Sequence, residues 1–283
     1  MGRLDGRTAI VTGASGGIGL ATARLFHAEG ARLVLNARRA DRLQAAAQET
    51  GAESVCGDIT DPAVRTNLVQ AAGGRVDILV NNAGYGQPGP CEAVPIEAAR
   101  RQMEVNFFAA AEMTRAVLPA MRGARSGRIL NVSSIAGRFG YPLFGWYCAS
   151  KHALEGWSDA LRLELAPFGI KVVLIEPGPV RTDFFEVARA RGDALLSDKE
   201  SPYRDFYVAV DDIEADMMKQ AGEPEGVARV LLKAACKRRP RARYAVTGMA
   251  KMMSVLLRVL PRSWLDAAVN RQFQVPKRAP PEE

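Results

Sequence analysis

Seven short apolar, β-branched runs alternate along the chain with segments long enough to form a helix, and no other feature constrains the fold as strongly. The runs are Thr8 to Val11, Arg32 to Leu35, Ser54 to Val55, Ile78 to Val80, Ile129 to Val132, Lys171 to Ile175 and Tyr244 to Val246. Parallel neighbours need a long crossover, usually a helix, whereas antiparallel neighbours can be joined by a tight turn. The alternation therefore predicts a doubly wound α/β fold, a seven-stranded parallel sheet with helices on both faces. At 283 residues with 48% apolar and 24% charged residues, and with no internal repeat, the chain is expected to form a single domain over residues 1–283.

Ligands of an open parallel sheet bind beyond the carboxyl ends of its strands, so the residues after each strand carry the functional information. Gly13, Gly17 and Gly19 bracket the turn between the first strand and a helix expected from about Ile18 to Glu29. Absent side chains let the backbone approach a pyrophosphate, and the helix start offers unpaired N–H donors. Later strands run into Arg38 and Arg39, into Asp58 and Ile59, into Asn81 to Gly84, into Ser133 and Ser134, and into Pro177 and Gly178. One rim of the sheet collects all of them.

The motif Thr12-Gly13-x-x-x-Gly17-x-Gly19 resembles the fingerprint of the short-chain dehydrogenase/reductase family, and the likeness continues from about Arg7 to Thr182. It implies a Rossmann-type fold and an enzyme that moves hydride between a nicotinamide and a CH–OH or C=O group. Asn106, Ser134, Tyr147 and Lys151 match the family's catalytic tetrad, with Ser134 thirteen residues before Tyr147. The resemblance further implies that Asp58 and Ile59 meet the adenine, and that Asn82, Ala83 and Gly84 turn beneath the cofactor. Pro177, Gly178, Val180 and Thr182 match the segment that covers the nicotinamide. With Gly13, Ser15, Gly17, Ile18, Gly19 and Arg38, and with Tyr147 and Lys151 again, these make up the expected cofactor site. A homo-oligomer is also implied.

Charge at the end of the second strand bears on which cofactor binds. A carboxylate there would accept the ribose hydroxyls and repel a 2′-phosphate, but no acid occurs from Leu33 through Ala40. Arg38 and Arg39 follow the strand instead, and a guanidinium pairs well with phosphate. NADP(H) is therefore favoured. Gly16 stands where relatives with two basic contacts carry Lys or Arg, so NAD(H) is expected as a weaker alternative.

Tyr147 and Lys151 lie four residues apart, ahead of an apolar stripe Leu154, Trp157, Leu161 and Leu165 that reads helical until Pro167 and Gly169. They share one helical face. A free tyrosine titrates near ~10, and a fixed ammonium nearby would favour the phenolate. Ser134 can donate to the substrate oxygen. By the resemblance, Asn106, within a helical pattern from Ala98 to Met121, holds a water that links Lys151 to solvent. A sensor that binds cofactor without turnover, or a membrane adaptor on the same fold, is the alternative reading; the complete tetrad favours the enzyme.

Residues 182–224 are expected to form a helical lid, with Phe184, Phe185, Tyr203, Phe206 and Tyr207 suggesting an apolar alcohol or carbonyl substrate. Leu143, Phe144 and Trp146 are expected to line the pocket. The tail resembles the 17β-hydroxysteroid and retinol dehydrogenase-like branch, which implies a steroid-, retinoid- or lipid-like substrate. Residues 248–275 read as a helical extension and 276–283 as a disordered end. From Gly226 onward, 13 Lys and Arg face three Asp and Glu, so the overall surplus of +7 is local. The basic, apolar segment 248–262 fits either the substrate mouth or an anionic membrane surface. Nucleic-acid binding is not expected, since no aromatic-basic platform accompanies the charge. Cys56, Cys91, Cys148 and Cys236 show no metal or disulfide spacing, so no metal site is expected. With no signal peptide or long apolar span, a cytoplasmic protein is expected, with peripheral membrane contact the open question.

Overall fold

Seven strands form one sheet in the computed structural model, which describes residues 1–272 apart from the side chains of 208–212. They are β1 (Thr8–Thr12), β2 (Arg32–Ala37), β3 (Glu53–Cys56), β4 (Ile78–Asn81), β5 (Gly127–Val132), β6 (Ile170–Glu176) and β7 (Arg243–Ala245). The order is β3-β2-β1-β4-β5-β6-β7 and every pairing is parallel. Strand order reverses between β1 and β4, which opens a crevice at their carboxyl ends. The Rossmann-type expectation is met, with strand ends shifted by a residue or two.

The helices are α1 (Gly17–Ala28), α2 (Ala40–Thr50), α3 (Pro62–Ala71), α4 (Ile96–Met103), α5 (Ala109–Gly123), α6 (Gly145–Leu165), α7 (Phe184–Leu196), α8 (Arg204–Lys219), α9 (Pro224–Cys236), α10 (Gly248–Val259) and α11 (Arg262–Gln272). Alternate strand residues point to opposite faces, and the two cores follow that period. Ala9, Val11, Leu33, Leu35 and Val80 pack with Phe26 of α1, Leu43 of α2 and Leu231 of α9. Ile10, Val34, Leu79 and Ile129 pack with Leu68 of α3, Met113 of α5 and Leu161 of α6. Helices α7 and α8 lie within residues 182–224, and α10 and α11 within 248–275. The expected disorder of 276–283 lies outside the described residues.

One expected helix is not continuous. Between α4 and α5 the residues Glu104–Phe108 form a π turn. Its extra residue turns Asn106, 1% exposed, toward the backbone of Tyr85. Apolar periodicity does not reveal such a turn, because the stripe resumes on the far side of it.

A buried ion network closes the β7 edge. Arg243 donates through Nε to Glu155 Oε2 of α6 at 3.0 Å and lies 3.2 Å from Glu176 Oε1 at the end of β6. Arg138 donates to the same Glu176 oxygen at 3.2 Å. Burial raises the Glu155 carboxyl above the usual range, and the Glu176 charge adds to this, while Arg243 and a hydrogen bond from Ser133 pull it down. Arg243→Met leaves Glu155 without its cation beside Glu176, which keeps only Arg138, and should cost about 3–5 kcal/mol. A carboxyl raised in the folded state stabilises below its unfolded value and loses that stability as pH rises. The deficit of Arg243→Met, measured by urea unfolding, should therefore be larger at about pH 8 than at about pH 5; equal deficits at both would contradict this picture.

Candidate active site

The glycine loop is shaped by its own backbone. Gly13 and Gly17 have φ of 67° and 52°, in the left-handed region that disfavours a side chain. A Cβ on Gly19 would lie 2.3 Å from the Gly13 carbonyl oxygen. Asn82 Nδ2 donates to the carbonyls of Thr12 and Gly13 at 3.0 and 3.2 Å, and Thr12 Oγ1 accepts from the Asn82 and Ala83 amides at 3.0 and 3.1 Å. These bonds hold the ends of β1 and β4 together at the switch point. Helix α1 begins there with no side-chain cap and no acid in its first turn. Its first amides and its positive dipole end therefore suit the pyrophosphate of a dinucleotide.

Gly13, Ser15, Gly17, Ile18, Arg38, Asp58, Ile59, Asn82, Ala83 and Gly84 all line the same crevice, as do Ser134, Tyr147, Lys151, Pro177, Gly178, Val180 and Thr182. Gly19 lies behind the loop, packed against Gly13, and Asn106 lies behind the wall. Arg38 is exposed at the end of β2. Arg39 leans over the loop, with Nε donating to Ser15 Oγ at 3.3 Å, and it shares Asp183 with Arg42 at 2.8 and 2.6 Å. The Asp58 carboxylate accepts from the amide and hydroxyl of Thr60 at 3.0 and 2.8 Å and pairs with Arg101. Burial pushes its pKa up, but these hydrogen bonds and the charges of Arg101 and Arg38 leave it below the usual carboxylate range.

Helix α6 crosses the carboxyl end of β5 and presents Tyr147 and Lys151 on one face. Lys151 Nζ donates to the carbonyl of Val132, the last residue of β5, at 2.9 Å. Its ammonium lies 5.8 Å from the centroid of the Tyr147 ring. Burial brings the Lys151 pKa down to about 8 against the opposing charge of Glu155. Burial also raises the Tyr147 phenol well above its ordinary value, and the hydrogen bond with Ser134 offsets only part of that rise. The free protein therefore holds a protonated phenol, the reverse of the lowered value that the ammonium alone would give. Ser134 Oγ accepts from the Ala136 amide at 3.1 Å and lies 3.4 Å from the Pro177 carbonyl.

Asn106 is placed by the π turn. Its Oδ1 accepts from the Tyr85 amide at 3.0 Å, and its Nδ2 donates to the Tyr85 carbonyl at 2.9 Å and to Ser150 Oγ at 3.0 Å. Ser150 in turn donates to the Tyr147 carbonyl at 2.7 Å. Asn106 thus ties the β4 loop to the turn of α6 that carries Tyr147.

The substrate end differs from expectation. Phe139, Tyr141, Phe184, Phe185, Met217, Met249 and Met253 line it, whereas Leu143, Phe144 and Trp146 do not. Leu143 is buried, Phe144 stands edge-on behind Tyr147, and Trp146 Nε1 donates to the Cys91 carbonyl at 3.1 Å. Phe139 and Tyr141, a few residues earlier, take the wall positions instead, so proximity in sequence to Tyr147 misleads there. Tyr203, Phe206 and Tyr207 also stay off the lining. Thr247 was not anticipated, although its Oγ1 accepts from the Gly178 amide at 3.2 Å while capping α10 at Ala250. The Thr-Gly step before an apolar helix is the signal that could have found it.

The family model described as short chain dehydrogenase matches residues 7–192. The chain belongs to the short-chain dehydrogenase/reductase family. It is accordingly an oxidoreductase acting on CH–OH and C=O groups with NAD(P). A Helicobacter pylori protein named as a probable short-chain type dehydrogenase/reductase is 35% identical over 92% of this chain and 95% of its own length. An NADPH-dependent 3-dehydrocapnine reductase from Ornithobacterium rhinotracheale is 34% identical over 92% of this chain and 95% of its own. The crystal structure of a short-chain dehydrogenase from Streptomyces avermitilis superposes with a TM-score of 0.76 at 32% identity, covering 95% of both chains.

Proposed function

We propose that this enzyme is an NADP(H)-dependent reductase of apolar ketones, with Tyr147 as proton donor. The observation that carries this reading is the buried Tyr147 beside Ser134, at the junction of the glycine-loop end and an apolar wall of Phe139, Tyr141, Phe184, Phe185 and Met253. NADPH, held by the Gly13–Gly19 loop and the Pro177–Thr182 segment, would supply the hydride for the carbonyl carbon when bound. Tyr147 gives its hydroxyl proton to the carbonyl oxygen, and Ser134 donates a hydrogen bond to that oxygen as charge develops on it. The Lys151 ammonium, 5.8 Å from the centroid of the Tyr147 ring, favours the phenolate left when that proton goes. Asn106 is a positioning residue, holding Tyr85 and Ser150. The alcohol-oxidising direction uses the same groups in reverse.

The cofactor preference rests on charge. Arg38 and Arg39 face the ribose end of the crevice without a neighbouring acid on β2. Asp183 holds Arg39 from the lid side, so a 2′-phosphate would compete with it for that guanidinium. A relative named as NADPH-dependent supports the same choice. Phe108 and Leu163, exposed at 46% and 64%, offer an apolar surface for the homo-oligomer that the family resemblance implies.

Two outcomes follow. Tyr147→Phe should lower turnover of an apolar ketone by at least about a hundredfold while NADPH affinity changes little, since only the transferable proton is lost. Parent-like rates would end the assignment. Arg38→Asp should lower the NADPH-to-NADH ratio of kcat/KM about ten- to a hundredfold at fixed salt. An unchanged ratio would dismiss Arg38 as the phosphate contact, and a large change in Arg39→Asp alone would transfer the role to Arg39.

A further inference from the structure

Helix α10 has two apolar rows. Met249 and Met253, four residues apart, line the crevice. Met252, Val255 and Val259 form a second row and are 55%, 58% and 67% exposed. Leu256, half-buried, lies between the rows on the helical wheel, so the apolar surface runs unbroken from the crevice wall around the helix to its outer side. Lys251 and Arg258, both exposed, edge the outer row on the side away from the crevice. Helix α10 contains no acid, and Arg262 and the exposed Trp264 follow at the start of α11. The nearest acid in the chain beyond, Asp266, is paired with Arg262 at 3.5 Å.

A solvated helix has no reason to place three aliphatic side chains in a row beside cations of one sign. Two copies meeting about a two-fold axis would cover the row but would bring no acid of α10 to Lys251 and Arg258, since the helix has none. An anionic lipid surface satisfies both features, since it accepts the aliphatic row and the indole at its interfacial layer and attracts the cations.

We propose that α10 and the start of α11 dock this protein on an anionic bilayer surface, with Met252, Val255 and Val259 entering the interfacial layer. The crevice edge at Met249 and Met253 then borders the lipid, so that an apolar ketone passes from the bilayer to Tyr147 along a continuous apolar path. Only that last step rests on the ketone reductase reading; docking itself does not require turnover.

The full chain should cosediment with vesicles of phosphatidylcholine and phosphatidylglycerol, bind vesicles of phosphatidylcholine alone at least about tenfold more weakly, and release partly in high salt. Val255→Glu with Val259→Glu, and separately Lys251→Glu with Arg258→Glu, should each weaken binding to the anionic vesicles about tenfold or more. Both double variants should keep the parent's circular dichroism and its turnover of a water-soluble ketone. Absence of parent binding to the anionic vesicles, or parent-like binding by both double variants, would overturn the proposal. So would a shift to smaller mass by light scattering in Val255→Glu/Val259→Glu with no vesicle binding by the parent, which would assign the row to a second copy. Vesicle binding without ketone turnover by the parent would instead refute the reductase reading and leave the docking surface standing.

Discussion

The bond from Lys151 Nζ to the Val132 carbonyl fixes where α6 crosses the sheet, and much of the site depends on that crossing. Val132 ends β5, so its carbonyl points out of the sheet with no further strand residue to pair it. The ammonium meets that acceptor inside a wall that otherwise excludes water, and burial brings its pKa down to about 8. Tyr147, one turn earlier on the same face, is carried into the crevice beside Ser134. The two groups are desolvated together, so burial pushes one toward its neutral amine and keeps the other a neutral phenol.

Around this pair the structure separates two jobs. The β1 and β4 ends, held by Thr12 and Asn82, and the uncapped start of α1 form a polar half built from backbone amides. The other half, from Phe139 and Tyr141 to Met217 and Met253, is apolar. Hydride transfer needs such a division, because the charged cofactor must be fixed by donors while the reacting carbon sits where water does not compete. Arg243, Glu155 and Glu176 tie α6 to the β6 and β7 edge. No helix among the described residues is long and apolar enough to cross a membrane.

The parallel sheet and the rim of glycines were legible because each depends on short-range signals: β-branched runs, helix-length gaps, and glycine where the backbone turns left-handed; the order of the strands was not, since nothing local encodes it. That Tyr147 and Lys151 share one face of a helix was legible for the same reason, a spacing of one helical turn. The π turn at Glu104–Phe108 was not, since one extra residue leaves the apolar stripe intact while changing which side Asn106 faces. The substrate wall was misjudged at Leu143, Phe144 and Trp146 because which side chains ahead of α6 turn into the crevice, Phe139 and Tyr141 rather than these, is a tertiary property. The Arg243 network escaped for the same reason: its partners come from α6, β6 and β7, and only the sheet order brings them together.

The protonation state of Tyr147 tests the account most directly, and it can be measured without knowing the substrate. Tyrosinate absorbance of the parent minus that of Tyr147→Phe, followed across pH in the free protein, isolates this one phenol. The account predicts no tyrosinate from Tyr147 until well above pH ~10, the ordinary value for the side chain. A Tyr147 phenolate already present near neutral pH in the free protein would contradict it.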